Sequence, residues 1–304
     1  MAPKFHGYLF ALAATTIFSL QDAVSKHLGE HYPPIFITMI RYWAFAAFCI
    51  LLVARKRRGL RAAASTTRPV LQIFRGVLLV VEIMLVITAF AHAGLAHSTA
   101  VLAATPILVT LLSIPLLGER VGWRRWSAII AGLVGVLLIL KPDAGGFLDP
   151  WLLLPVLCSA MYAVYLIATR LVSRTDAPAT SFFYIGVAGA VTATLIGPFF
   201  WADLQGWDRA WMGLLCITGM TGHYLVIRAY ELLDASAVQP ISYLSLVYAS
   251  LFGILLYGET LTWNIVAGSA IVVGAGIFTF WREYVLRHQA PVEAVRSRGD
   301  AGAA

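Results

Sequence analysis

The sequence predicts an all-α integral membrane protein with ten transmembrane helices in two inverted five-helix repeats. Three observations predict it. Hydrophobic residues fill 60% of the 304 positions and charged residues only 12%, about half the charged share of a soluble domain. Apolar runs of roughly 20 residues, the length that crosses a bilayer, recur along the whole chain. A Gly-Glu…Trp pattern occurs at Gly118-Glu119…Trp123 and again at Gly258-Glu259…Trp263. So few charges could not cover a soluble surface of this size. A cytosolic globular enzyme, a disordered chain and a nucleic-acid-binding module are therefore excluded.

The ten predicted spans are 5–27, 33–54, 70–92, 95–117, 124–141, 150–172, 178–201, 210–230, 235–257 and 262–282. The first lacks a small-residue cleavage site, so it reads as a span and not as a removed signal peptide. Spans three and four share a stretch, 83–118, without Asp, Glu, Lys or Arg. It is too long for one crossing, and the segment around Gly94 divides it. Span five is near the lower length limit. The runs are continuous and not alternating, which argues against a barrel. Domain limits follow: 1–149 is the first five-helix repeat, 150–284 the second, and 285–304 a disordered cytoplasmic tail. Cys49, Cys158 and Cys216 sit singly in apolar runs and do not suggest a disulfide framework or a metal site.

The net charge of +7 reflects topology. Sixteen of the 22 Lys and Arg residues fall on the side that holds both termini, three (Lys26, Lys141, Arg209) on the other, and three (Arg41, Arg75, Arg228) within spans. The positive-inside bias makes both termini cytoplasmic in a bacterial inner membrane. At an offset of 140, Ala89-Phe90 matches Ala229-Tyr230, and Leu111, Ile114 and Leu116 match Leu251, Ile254 and Leu256; at 144, Phe18, Lys26 and Pro34 match Tyr162, Arg170 and Pro178. Each repeat holds an odd number of spans, so the second must enter the membrane from the opposite side. Inverted repeats are a mark of secondary transporters, with binding near the midplane where the halves meet.

Ten spans, five plus five, with the Gly-Glu…Trp pattern after spans four and nine, resemble the drug/metabolite transporter superfamily. The resemblance is to EamA-type exporters over about 5–282, and within them to bacterial exporters of aromatic amino acids. It implies export of small metabolites through a cavity lined by spans one to four and six to nine, with five and ten peripheral. The halves are not interchangeable: Pro106 of span four corresponds to Leu246 in the second repeat, while span nine has Pro240 instead.

Ionisable groups in hydrocarbon cost about 2.5–3.5 kcal/mol on insertion scales and usually face a cavity or a partner. Glu82 lies mid-span three, Arg41 in span two and His223 mid-span eight. Glu82 or His223 can hold a substrate amino or carboxylate group or carry a proton; the alternative is a buried Glu82–Arg41 pair. Gln21 lies near the external end of span one beside Asp22, which is spaced to pair with Lys26. Arg75 and Arg228 read as snorkelling towards the cytoplasm, or as a gate onto Glu231 or Asp234. Pro240 frees a backbone carbonyl, and Gln239, Ser242, Tyr243 and Ser245 around it suit a zwitterion or interhelical bonding. Tyr162 and Tyr165, with Phe18 as repeat mate of Tyr162, offer aromatic cavity walls or ordinary packing. The Gly-Glu glutamates read as structural, with glycine at a helix end. Trp123, Trp126, Trp207, Trp211 and Trp263 read as interfacial anchors.

No HExxH, GxSxG or phosphate-binding Gly-Lys-Ser/Thr motif occurs. The expectation is a non-enzymatic exporter of amino acids with aromatic or other hydrophobic side chains, working by alternating access. The expected partners are that solute and the lipid bilayer, without cofactor, metal, nucleic acid or evident obligate protein partner. A nucleotide-sugar or drug transporter and an integral-membrane enzyme are the rival classes. The first would want more cavity arginines than Arg41 supplies. The second has only Glu82 with His223 as a catalytic pair.

Overall fold

The computed structural model describes residues 2–54, 59–118, 122–140, 150–233, 238, 241–279 and 281. Among these the chain is helical throughout, without strands. The helices are α1 (Ala2–His31), α2 (Pro34–Ala54), the short α3 (Gly59–Ala64), α4 (Pro69–Ala93), α5 (Leu95–Leu102), α6 (Thr105–Leu117), α7 (Trp123–Leu140), α8 (Pro150–Val172), α9 (Pro178–Ile196) and α10 (Asp208–Leu232). A 3-10 turn, Gly197–Phe200, follows α9. Then come α11 (Leu244–Tyr257) and α12 (Trp263–Thr279).

Among the described residues six stretches are long and apolar enough to cross a membrane, one of them α5 and α6 together as Leu95–Leu116. Three shorter apolar helices lie at Trp126–Leu140, Leu244–Tyr257 and Trp263–Thr279. The more polar α10 coincides with the predicted eighth span. The predicted tail 285–304 lies outside the described residues, as do Glu119, Gln239 and Pro240.

Local sequence explains the boundaries. Prolines open α4 and α9, where a missing N–H costs nothing and φ is already helical. Gly94 turns α4 into α5 at φ 90°, and an added Cβ would meet Glu259 Oε1 at 3.2 Å. Gly118 and Gly258 close α6 and α11 in the left-handed region at φ 68° and 64°, the helix end expected of the Gly-Glu pattern. The single span predicted over 95–117 is in fact broken at Ala103 and Ala104. The Ala103 N–H still bonds Thr99 O, while that of Ala104 bonds Val101 O. Pro106 then starts α6. The short helix α3 lies within a stretch read as loop.

α1 runs along α10, α4 against α8 and α9, and α2 against α9. One apolar cluster joins Val24 and Leu28 (α1), Phe36 and Met39 (α2), Ile87 (α4) and Leu215 (α10). A second joins Ala104, Ile107, Ile129, Ile139 and Val272 across α6, α7 and α12. Large apolar side chains also cover the outside: Ile130, Val134 and Leu137 on α7, Val247, Leu251 and Leu255 on α11. Such an outer face suits lipid. Trp123, Trp126, Trp207, Trp211 and Trp263 are all exposed at helix ends, where interfacial anchors belong.

Candidate solute-binding site

Three helices turn one stripe each towards a small cavity: Arg41, Tyr42 and Phe45 from α2; Leu79 and Ile83 from α4; Cys216, Gly219, Met220 and His223 from α10. The spacings of three and four are those that share a helix face. Gly219 sets the depth of the cavity on the α10 side. A Cβ there would lie 3.2 Å from Gln21 Oε1 and 3.6 Å from Arg41 Nε. Glycine therefore lets a polar group of α1 and a cation of α2 approach the α10 backbone. The Gln21 oxygen is buried and has no hydrogen-bond partner in the protein, and a buried acceptor left open costs about 1–3 kcal/mol.

The charges are arranged around Arg41. Asp22, Glu82 and His223 all lie within its electrostatic reach, and Glu82 and Asp22 feel each other. Glu82 is only 6% exposed. No direct pair closes the cluster: among the described residues the ion pairs within 4 Å are Lys26–Glu30, Lys26–Glu259 and His27–Asp208. The alternative reading, a buried Glu82–Arg41 ion pair, does not form within 4 Å; Arg41 acts on Asp22 and Glu82 through space only. The Asp22–Lys26 pairing is also corrected. α1 continues to His31, so Asp22 lies deeper than the sequence suggested, and Lys26 turns to Glu30 at 2.8 Å and Glu259 at 3.4 Å.

Aromatic rings flank the charges. The His223 ring stands 5.3 Å from Phe18, 5.2 Å from Phe45 and 6.0 Å from Phe182, centroid to centroid. Tyr162 and Tyr165 stack on each other at 5.6 Å and 14°. Tyr165 faces Arg75 and lies in the field of Glu82. The repeat mates Phe18 and Tyr162 therefore serve different rings. Sequence reasoning missed Phe45, Phe182 and Tyr42; phenylalanines in apolar spans give no local signal of facing inward.

The polar residues near Pro240 do not join this group. Gln239 lies outside the described residues. Ser242 is exposed and Ser245 half-buried. Tyr243 presses its hydroxyl against Gly276 of α12, away from the residues that line the cavity.

Polar clusters close both ends of the bundle. At one end Glu259 accepts the N–H groups of Leu95 (2.7 Å) and Ala96 (3.0 Å) at the start of α5. Lys26 donates to Phe90 O at 3.1 Å and lies over the Tyr257 ring. Nearby, His27 Nε2 is 2.8 Å from Asp208, and Tyr32 donates to the same carboxylate at 2.7 Å. These bonds hold the Asp208 carboxyl below the usual carboxylate range. At the other end Asp176 accepts from Thr66 and, at 2.7 Å, from Gln72. Partial burial raises this carboxyl, but the donors outweigh it and leave it below the ordinary value. Arg75, expected to snorkel, is instead wholly buried and donates to Ser181.

The chain as a whole is similar to known proteins. The EamA-like transporter family matches residues 5–141 and again 149–281. An S-adenosylmethionine uptake transporter of Rickettsia prowazekii (strain Madrid E) is 24% identical, over 91% of this chain and 93% of its own. A riboflavin transporter of Vibrio cholerae is 28% identical, over 92% and 96%. A pseudopaline exporter of Pseudomonas aeruginosa is 26% identical, over 89% and 94%. A chain of known crystal structure shares the fold, with a TM-score of 0.61 at 21% identity, over 90% of this chain and 96% of that one. None of these relatives is named as an aromatic amino acid exporter, so they support the expected family and not the expected subgroup. The cavity lies between α2 and α4 of the first matched segment and α10 of the second, and the chain belongs to the EamA-like transporter family, whose relatives are membrane transporters of small molecules.

Proposed function

We propose that the protein carries a small zwitterionic metabolite with a planar or apolar side group across the bacterial inner membrane. Amino acids with aromatic or hydrophobic side chains are the first candidates. The observation that carries this reading is the open charge cluster: Arg41 opposite Asp22 and Glu82 with no ion pair between them, beside the ring cage at His223. A carboxylate fits the guanidinium, an ammonium fits the two acids, and a planar or apolar group fits the phenylalanines. S-adenosylmethionine, the solute named for the Rickettsia relatives, is itself an amino acid bearing a planar base, which supports the same chemistry.

In this reading ten spans form two oppositely threaded five-helix halves, residues 1–149 and 150–284, with both termini cytoplasmic. The site at their seam is reached from each face in turn. The solute is exported either down its own gradient or in exchange for protons carried by Glu82 or His223. The test is flux in proteoliposomes of labelled phenylalanine, threonine, S-adenosylmethionine and riboflavin, with and without a pH gradient. Saturable movement of phenylalanine or S-adenosylmethionine is expected. Movement of riboflavin with none of the amino acids would overturn the zwitterion reading.

A further inference from the structure

Arg75 is the largest side chain with no exposed surface, yet it lacks a counter-ion. Its two bonds to Ser181, to the hydroxyl at 3.3 Å and to the carbonyl at 3.4 Å, are long. Its Nε has no hydrogen-bond partner, nor has the Oε1 of the equally buried Gln72. Asp176 is close enough to act on Arg75 through space, but no ion pair forms between them. That carboxylate is taken by Thr66 and Gln72. The remaining neighbour is Tyr165, whose ring lies 5.5 Å from the guanidinium carbon and whose hydroxyl is close enough to interact with it. A buried guanidinium with neutral partners and no counter-ion is a poor structural element, because its removal from water is only partly repaid.

Its position on α4 suggests a use. Residues 75, 79, 82 and 83 share one helix face. Leu79 and Ile83 are cavity wall, so Arg75 lies one turn, about 5.4 Å, beyond the cavity, with Leu79 between. We propose that Arg75 is a second carboxylate-binding station. The solute's carboxylate passes from Arg41 to Arg75 as Leu79 moves aside, on its way to the end of the bundle that holds Asp176. Gln72 and Ser181 complete the station with neutral polar contacts, and Tyr165 lies beside both Arg75 and Glu82. The proposal rests on the zwitterion reading above.

The test uses the full chain in proteoliposomes of one orientation, with labelled phenylalanine supplied from either face. Arg75→Gln is expected to raise KM from the Asp176 face at least tenfold more than from the opposite face. Arg41→Gln is expected to raise both together. Phenylalaninamide, which lacks the carboxylate, is expected to be insensitive to Arg75→Gln. In detergent the melting temperature of Arg75→Gln is expected to equal or exceed that of the unsubstituted protein, since a buried cation without a counter-ion has gone. Equal KM changes from both faces, or a lowered melting temperature, would overturn the station and make Arg75 structural. If Arg41→Gln carries phenylalanine undiminished, or the unsubstituted protein carries none, the zwitterion reading fails first and the station with it.

Discussion

Arg41→Gln is expected to lower kcat/KM for a zwitterionic solute by about 10- to 150-fold while the protein still folds. Among the described residues that line the cavity Arg41 is the one Lys or Arg, and a hydrogen bond to a charged group contributes about 1.5–3 kcal/mol. At about 1.4 kcal/mol per tenfold, that range gives the expected loss. Folding survives because Arg41 forms no ion pair within 4 Å, so no buried acid loses a direct partner. The variant also leaves Asp22 and Glu82 facing each other without a neutralising charge, which disfavours an anionic group in the cavity further. Flux assays with phenylalanine and with phenylalaninamide separate the effects: the amide, lacking the carboxylate, should lose much less. Equal losses for both compounds would remove Arg41 from carboxylate recognition.

Glu259→Ala is expected to be the most destabilising single change at the helix ends. Its carboxylate accepts two backbone N–H groups of α5 and faces Lys26, which is almost fully buried. Removing one partner of a buried ionic contact costs about 3–5 kcal/mol. The α5 N–H groups lose their acceptor as well, and capping losses alone reach about 0.5–2 kcal/mol. Lys26 keeps Glu30, the Phe90 carbonyl and the Tyr257 ring, which limits the damage. Thermal unfolding in detergent measures the result: a drop of several degrees is expected, with Glu259→Gln falling between because an amide oxygen can still accept one bond. A melting temperature unchanged in Glu259→Ala would mean that the cap does not hold α1, α5 and α11 together.

The comparison of these two residues shows what sequence reveals. The apolar runs located the helices because lipid-scale hydrophobicity is continuous and local. The glycines at 118 and 258 announced their left-handed ends, since few other residues adopt that backbone. Gln21, Arg41, Glu82 and His223 each stood out because polar residues are scarce in the spans; Arg41 and His223 line the cavity, and Gln21 approaches it at Gly219, but that they lie near one another was not legible. Glu259 was read as structural from its helix-end setting, but its partners at 26, 95 and 96 are over 160 positions away and leave no local trace. The Asp22–Lys26 reading failed for a different reason: Lys26 takes the acid four residues ahead, Glu30 at 2.8 Å, and not the one four residues behind, while tertiary packing adds Glu259 at 3.4 Å. Arg75 looked like a snorkelling residue because its depth was counted from the helix end. What buries it is α9 and Tyr165 of α8, which no window around residue 75 contains. The break at Ala103 and Ala104 was foreshadowed only by Pro106.

The central claim is that two oppositely threaded halves enclose the Arg41 cluster, so that it is reached from each side of the membrane in turn. Reporter tags placed in the turns at 118–123 and 258–263 of the full chain, read out in intact cells, test it most directly. The account predicts that the first reports from the cytoplasm and the second from outside. Both turns reporting from one face would contradict it.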